Sequence, residues 1–326
     1  MQIKKNHVYV LAAIALVLLA GVIAYPYLIK EKAGEEKQPE KDEVVWLVDT
    51  EGYLYYPLDR GDIPFNRQNY SQTEKLSISR IAYPSRKGSV YGLLVLPNYA
   101  DDYLPGVVLL PGAGVSKESE LGLAMKISEL GAAVLVLDQR GVGETDGILP
   151  SLEEDYSSFV KAEEPYQHLM VYDALRGYDL LHSAPFVDPN RVIIAGESLG
   201  GRIAIIAAAI DRNINGVLAI SSAGFDFKDK GDKNMDAFIK SLDSDHYISQ
   251  ITPRKLVMIH SMNDTTIPVV SALNSFSKAQ EPKKLALVND TSCNHGYCDA
   301  MYDGLVAALD YLVGINSRTA ASLPDK

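Results

Sequence analysis

The stretch Gly196-Glu197-Ser198-Leu199-Gly200 places a serine between two glycines, and this serine is the first candidate for chemistry in the chain. A serine hydroxyl attacks a carbonyl carbon when a base takes its proton, and that base needs a carboxylate to fix its tautomer. The flanking glycines let the backbone bend sharply, so that the hydroxyl projects from the turn. Ser198 is therefore predicted to be the nucleophile of an acyl-transfer reaction.

A histidine and an aspartate stand at suitable places for the base and the acid. His295 lies in a loop after the last apolar run of the chain, and Asp264 follows the apolar run before it. We predict that His295 takes the proton of Ser198 and that Asp264 orients His295. Asp226 is the reserve acid. The other histidines lie in helical, polar or strand-end positions and are interpreted as structural or solvated.

The negative charge that develops on an attacked carbonyl oxygen needs hydrogen-bond donors. The amide of Leu199 follows the serine directly, at a predicted helix N-terminus, and supplies one donor. The glycine-rich loop after the first central apolar run supplies the second, from Ala113 or from Gly114.

Alternating strands and helices must position these residues. The paired runs 76–83 and 89–96 predict an antiparallel opening, and six buried runs predict parallel strands at 107–110, 133–137, 192–195, 217–220, 256–259 and 285–288. Helical stretches fall between most of them, at 118–130, 167–182, 200–210 and 269–279, with 300–313 last. The pattern predicts an α/β fold with a doubly wound, mostly parallel sheet and a crevice at the carboxyl ends of the strands.

With these elements in place, the chain resembles the α/β-hydrolase superfamily, in its serine esterase and serine aminopeptidase-like branch, over roughly residues 76–314. Residues 138–147 look like the DxRGxGxS segment of that family, which implies a structural turn without catalytic work for Asp138 or Arg140. The order of Ser198, Asp264 and His295 is the one that the family implies. Many relatives begin the oxyanion loop with His-Gly, whereas Pro111 stands here, so the second donor stays open.

The domain prediction has four parts. Residues 1–30 form an N-terminal membrane anchor or signal segment, 31–75 a linker and N-terminal extension, 76–315 the hydrolase domain with a short cap insertion at 222–254, and 316–326 a tail. The apolar stretch 8–29 is long enough for a transmembrane helix. We expect a single-pass cell-membrane protein with an extracytoplasmic catalytic domain, and secretion after signal cleavage is the alternative.

Two cysteines, Cys293 and Cys298, flank His295. A disulfide between them suits an exported domain, and two unpaired thiols are the alternative.

Composition excludes several function classes. The chain has 326 residues and a net charge of −11, without a basic cluster, so a nucleic-acid partner is not expected. It lacks a P-loop, a GxGxxG after a strand and a spaced Cys/His set, so no cofactor and no metal are expected.

The cap insertion contains an amphipathic stretch with Met235, Phe238, Ile239 and Leu242 on one helical face. Such a helix either covers the site or packs on the core. Most of residues 151–164 is interpreted as a solvated loop, and a long apolar lid is absent from the sequence, which favours small or short-acyl substrates.

Four functions are compatible with these residues. The leading one is a serine hydrolase of the carboxylesterase type that cleaves small or short-acyl esters through an acyl-enzyme. A peptidase similar to the acylaminoacyl-peptidase and prolyl-oligopeptidase group would act on amides, although too few residues precede position 76 for a propeller domain. An acyltransferase, and a membrane-tethered binding protein that has kept the fold without activity, are the others.

Overall fold

The structure, a computed structural model, describes residues 45–99 and 103–315. Within them the strands form a small hairpin and a nine-stranded mixed sheet. The strands are β1 (Leu47–Val48), β2 (Leu54–Tyr55), β3 (Asn66–Gln72), β4 (Leu76–Ser85), β5 (Gly88–Pro97), β6 (Leu104–Leu110), β7 (Ala133–Leu137), β8 (Val187–Glu197), β9 (Gly216–Ile220), β10 (Lys255–Ser261) and β11 (Lys283–Val288).

Helices alternate with the parallel strands. They are α1 (Leu121–Glu129), α2 (Leu152–Val160), α3 (Tyr166–His182), α4 (Leu199–Ile210), α5 (Lys233–Leu242), α6 (Ser244–Tyr247), α7 (Val269–Lys278) and α8 (Tyr302–Val313). Short 3₁₀ turns cover Ile248–Ile251 and Asp299–Met301.

The sheet order is β11-β10-β9-β8-β6-β7-β5-β4-β3. Within the set β6 to β11, all neighbouring strands are parallel. The pairs β7–β5, β5–β4 and β4–β3, which extend the sheet on the other side, are antiparallel. The predicted mostly parallel sheet with an antiparallel opening is confirmed. After β6 the chain places β7 on one side and β8 on the other, so the strand order reverses there. Such a reversal opens a crevice at the carboxyl ends of the two strands.

The central strands are buried because helices cover both faces of the sheet. Every residue of β6, β7 and β9 is buried. Along β6, Val108 and Leu110 face a core shared with α3 and α4, whereas Val107 and Leu109 face a core shared with α1 and α8. The alternation follows from the period of two in a strand, and burial on both faces explains the continuous apolar runs in the sequence.

The stretch 31–75 is not wholly a linker. Strand β3 pairs with β4 and adds a ninth strand to the sheet, so the start predicted at residue 76 is too late. Upstream of it, the Arg60 guanidinium binds the carboxylates of Asp179 and Asp211 and ties this segment to the helical layer. All seven residues of β3 are exposed, so it lacks the apolar pattern by which a strand is recognised.

The solvated loop predicted for most of 151–164 is wrong, because this stretch contains α2. The Ser151 hydroxyl accepts from the Glu154 amide while the Glu154 carboxylate accepts from the Ser151 amide, which closes a capping box. The amphipathic helix predicted in the cap insertion is α5. Its buried Phe238 contacts the rings of Tyr156 and Phe159 on α2, so the apolar face of α5 packs against a neighbouring helix.

The predicted membrane segment at 8–29 and the tail at 316–326 lie outside the described residues. Among the helices that the structure describes, none combines the length and the apolar character needed to cross a bilayer.

Candidate active site

Ser198 lies at the sharp turn between β8 and α4. Its backbone has φ 55° and ψ −116°, a strained conformation for a residue with a side chain. A Cβ on Gly200 would collide with the carbonyl of Leu110, and one on Gly196 would collide with the backbone of Gly200. The two glycines therefore let the turn close against β6, and the strained serine projects its hydroxyl from the edge of the sheet.

The structure brings the three residues predicted for catalysis into one hydrogen-bonded chain. Ser198 Oγ lies 2.9 Å from His295 Nε2, and His295 Nδ1 lies 2.8 Å from Asp264 Oδ2. Because an ionised carboxylate only accepts hydrogen bonds, the proton of the neutral ring sits on Nδ1. The lone pair on Nε2 is then free to accept the proton of the serine hydroxyl.

Asp264 is held from several sides at the carboxyl end of β10. Its side chain is fully buried, and its Oδ1 accepts from the amides of Thr266 and Ile267 at 2.9 and 2.8 Å. On β10 itself, His260 Nε2 bonds to the Ile267 carbonyl oxygen at 2.9 Å, and burial lowers the pKa of His260. Through its bond to Ile267, His260 supports the loop that carries Asp264.

The reserve acid, Asp226, is placed elsewhere. Its side chain is exposed and its Oδ1 pairs with Lys278 Nζ at 2.8 Å. Of the two aspartates, the structure therefore brings only Asp264 to the histidine.

The histidine loop is closed by a disulfide between Cys293 and Cys298, with a Cα–Cα distance of 5.7 Å. Of the two alternatives left by the sequence, the structure has the bridge. The Ser261 hydroxyl, at the end of β10, donates to the Cys293 carbonyl at 2.6 Å. His295 thus stands on a short covalent ring that is anchored to the strand carrying the acid loop.

The two predicted oxyanion donors lie on elements next to the nucleophile. Leu199 is the first residue of α4, where amides lack acceptors within the helix. Ala113 and Gly114 lie on the exposed loop after β6, whose Pro111 carbonyl accepts from Gln139 Nε2 at 2.6 Å. The geometry leaves the choice between Ala113 and Gly114 open, so both remain predictions.

Sequence reasoning missed the side chains that hold the loops together. Gln139 braces the oxyanion loop from inside the segment that was interpreted as a structural turn. Glu197, the residue before the serine, accepts from the Tyr297 amide at 2.8 Å and so fastens the histidine loop to the elbow. The Ser221 hydroxyl adds a bond to the Gly296 carbonyl at 3.1 Å. The GxSxG pattern leaves residue 197 unspecified, so the motif did not predict the contact of Glu197 with the histidine loop.

The half-buried Glu197 lies near a buried carboxyl group, Glu120, at the start of α1. Glu120 is 5% exposed, and its Oε1 has no hydrogen-bond partner within the described part of the chain. Burial, with the charge of Glu197 as the smaller cause, raises the pKa of Glu120 to about 8. Burial also raises the pKa of Glu197, against the lowering effects of the Tyr297 amide and of His295.

We expect Glu120→Gln to stabilise the protein at alkaline pH relative to the wild type. An unfolded glutamate titrates near 4.5, so between that pH and about 8 the folded protein binds the additional proton. The free energy of unfolding then falls as pH rises through this window. Because glutamine does not titrate, the gain of the variant over the wild type should be about 2–4 kcal/mol larger near pH 9 than near pH 4.

Chemical denaturation at the two pH values measures this difference. Glu129→Gln, on the exposed side of the same helix, is the control and should show the same small effect at both. An equal effect of Glu120→Gln at both pH values would mean that the carboxyl is ionised in the folded protein throughout.

Among residues 45–99 and 103–315, no cluster of three or more His, Cys, Asp or Glu side chains is arranged to hold a metal ion. The buried ion pairs of the turn at 138–147 serve the fold. Asp138 binds Lys117 Nζ at 2.7 Å, and the Arg140 guanidinium is paired with Asp173.

The sequence matches the model of a known protein family and is similar to a protein of Escherichia coli. The family model of the acetyl xylan esterases (AXE1) matches residues 58–230, just over half of the chain. The uncharacterised protein YfhR of Escherichia coli K12 is 22% identical over 275 residues, which cover 79% of this chain and 88% of YfhR.

Solved structures show the same fold. The acetyl xylan esterase of Paenibacillus sp. R4 superposes with a TM-score of 0.66 at 18% identity, over 78% of this chain and 90% of that enzyme. Acetyl xylan esterase 1 of Thermoanaerobacterium sp. gives 0.62 at 14% identity, over 78% and 89%. The chain belongs to the acetyl xylan esterase (AXE1) family of the α/β-hydrolase superfamily, and it is a hydrolase of carboxylic esters.

Proposed function

We propose that this enzyme hydrolyses small, short-acyl esters through an acyl-enzyme on Ser198. The observation that carries the proposal is the chain of hydrogen bonds from Ser198 Oγ through His295 to the buried Asp264. A serine, a base and an orienting carboxylate in this geometry are the parts that acyl transfer requires.

In the first half of the reaction, Ser198 Oγ attacks the ester carbonyl carbon while its proton passes to His295 Nε2. Asp264 stabilises the imidazolium that forms. The amide of Leu199, with that of Ala113 or Gly114, binds the oxyanion. The carbon–oxygen bond to the leaving alcohol then breaks, and the alcohol takes the proton from Nε2.

In the second half, water replaces the alcohol. His295 Nε2 accepts a proton from the water as its oxygen attacks the acyl carbon. The bond to Ser198 Oγ breaks and the serine recovers that proton, which releases the carboxylic acid and restores the starting enzyme. Each proton that enters the histidine leaves it within the same half-reaction.

A short acyl group, with acetyl as the leading candidate, is supported by the family. The model that matches this chain is that of acetyl xylan esterases, and two enzymes with this name share the fold. In the cap insertion, the apolar face of α5 is used in packing against α2. It is therefore not free to bind a long acyl chain.

The test uses the full chain and a series of 4-nitrophenyl esters with acetyl, butyryl and decanoyl groups, beside aminoacyl 4-nitroanilides. We expect kcat/KM to be highest for acetyl or butyryl and at least about tenfold lower for decanoyl, with slower cleavage of the anilides. Faster cleavage of the anilides would favour a peptidase. Transfer of the acyl group to an added alcohol in preference to water would favour an acyltransferase.

Reduction of the Cys293–Cys298 bridge is expected to lower kcat by about 10- to 100-fold, because the ring that carries His295 then loses its closure. The stability lost with so short a ring is about 2 kcal/mol, so the protein should remain folded. Ester hydrolysis is compared before and after treatment with a phosphine reductant, with thiol titration as the check on reduction. Cys298→Ser should show the lower rate without reductant, and unchanged kcat in fully reduced protein would contradict the expectation.

We also propose an exported, membrane-tethered location. The disulfide favours an oxidising compartment, and the apolar stretch 8–29 is the anchor. Fractionation of cells tests the membrane tethering, and protease treatment of intact cells tests the export.

A further inference from the structure

Arg202 carries a positive charge one helical turn after the nucleophile. It lies in the first turn of α4, where its amide donates to the Ser198 carbonyl at 3.2 Å. The side chain is half-buried. Its Nη2 donates to Gln167 Oε1 at 2.7 Å, and the guanidinium carbon stands 4.5 Å from the centre of the Phe225 ring.

The buried Arg140 and the half-buried Arg254 have more acceptors than Arg202. Arg140 is bound by both carboxylate oxygens of Asp173 and by two backbone carbonyls. Arg254 donates to backbone carbonyls from every nitrogen of its guanidinium. Arg202, by contrast, has a single side-chain acceptor, the amide oxygen of Gln167. No carboxylate of the described chain lies within ion-pair distance of it. A desolvated cation without such partners is costly.

The nearby carboxylate of Asp243 does not neutralise this cation. It favours the charged form of Arg202, but burial has the larger effect and lowers the pKa to about 10. The oxygens of Asp243 accept from the amides of Phe225, Phe227 and Asp245 instead. Arg202 is therefore protonated at neutral pH and keeps unused N–H donors.

The residues around Arg202 come from the edge of the sheet where the site lies. Phe225 follows the carboxyl end of β9, and Gln167 stands in the first turn of α3. Phe225 is 42% exposed, so solvent and solutes reach the ring that covers the guanidinium. With a net charge of −11, the whole molecule does not attract anions, and a local cation is what an anionic substrate would need.

We propose that Arg202 binds a carboxylate carried by the ester substrate, so that the preferred substrates are short-acyl esters of anionic compounds or hemiesters of dicarboxylic acids. The inference rests on the proposed function, since Ser198 must be the reacting residue. A planar guanidinium binds a carboxylate through two parallel hydrogen bonds. Gln167 and Phe225 hold the Arg202 guanidinium in position to bind this carboxylate.

The test compares two matched pairs of substrates. The pair 4-acetoxybenzoate and methyl 4-acetoxybenzoate places the charge on the alcohol side, and mono-4-nitrophenyl adipate and 4-nitrophenyl hexanoate place it on the acyl side. In at least one pair, the wild type should prefer the anion by at least about tenfold in kcat/KM, and Arg202→Gln should remove the preference, mainly through KM. Arg212→Gln, which removes an exposed charge just after α4, should leave the ratio as it is.

Three outcomes separate the inferences. Hydrolysis of the neutral esters without a preference for the anion in either pair overturns the role of Arg202 and leaves the proposed function standing. An equal loss on charged and neutral esters in Arg202→Gln also overturns it, because that is the result of a structural role. If no ester is cleaved, the proposed function fails. Calorimetric titration of Ser198→Ala and Ser198→Ala/Arg202→Gln with 4-acetoxybenzoate then decides whether Arg202 binds the carboxylate.

Discussion

Ser198→Ala is expected to lower kcat for short-acyl esters by about 10⁴- to 10⁶-fold, because the nucleophile is gone and water must attack the carbonyl directly. The elbow is set by the glycines and by the backbone, so its shape should survive the change. Stopped assays with 4-nitrophenyl acetate, on protein whose circular dichroism matches that of the wild type, measure the effect. The remaining rate reports what the oxyanion donors and binding contribute without covalent catalysis.

Ser222→Ala is the matched control for this variant. The Ser222 hydroxyl donates to the Ser198 carbonyl at 2.8 Å and so lies beside the elbow. Loss of this single hydrogen bond should reduce kcat by no more than about tenfold. A similar loss in both variants would show that the elbow had been disturbed and that the chemistry was not specific to Ser198.

Asp264→Asn is expected to lower kcat at neutral pH by about 10³- to 10⁴-fold. The amide oxygen of the asparagine can still accept from Thr266 and Ile267, as Oδ1 does now. Its NH₂ group then faces His295 Nδ1, where the carboxylate Oδ2 now stands at 2.8 Å. That arrangement makes Nδ1 an acceptor and puts the ring proton on Nε2, so the histidine can no longer take the proton of Ser198.

Asp226→Asn provides the comparison, since Asp226 is the other aspartate that the sequence proposed for this role. Its exposed ion pair with Lys278 contributes little, and kcat should stay within about twofold of the wild type. Steady-state kinetics of both variants against pH distinguish the two acids. A large loss in Asp226→Asn with a small one in Asp264→Asn would reverse the assignment.

The sequence predicts the central elements because they are buried on both faces. A run such as Val107–Val108–Leu109–Leu110 contains no polar residue, so it cannot be mistaken for a loop. In the structure it is part of strand β6. The strands that precede Ser198, Asp264 and His295 run parallel, so their carboxyl ends place these three residues at the same edge of the sheet. Strand β3 could not be found in this way, because an exposed edge strand leaves no apolar period.

Helix α2 could have been predicted from the sequence. Ser151 and Glu154 form the capping-box pattern, and Tyr156 and Phe159 stand on one side of the turn that follows. The sequence did not predict the hydrogen bond of Glu197 with the Tyr297 amide or its electrostatic effect on Glu120. These three residues are distant in the chain, and only the folded structure shows that a glutamate next to the serine fastens the histidine loop.

The measurement that tests the account most directly is covalent labelling of the full chain with a fluorophosphonate, followed by mass spectrometry of the intact protein and of its peptides. A serine activated by His295 and Asp264 should take up one phosphonyl group. The modified peptide should contain Gly196-Glu197-Ser198-Leu199-Gly200, with Ser198 as the modified residue. Ser198→Ala should remain unlabelled and Ser222→Ala should label. Absence of labelling in the wild type, or equal labelling of Ser198→Ala, would contradict the assignment of Ser198 as the nucleophile.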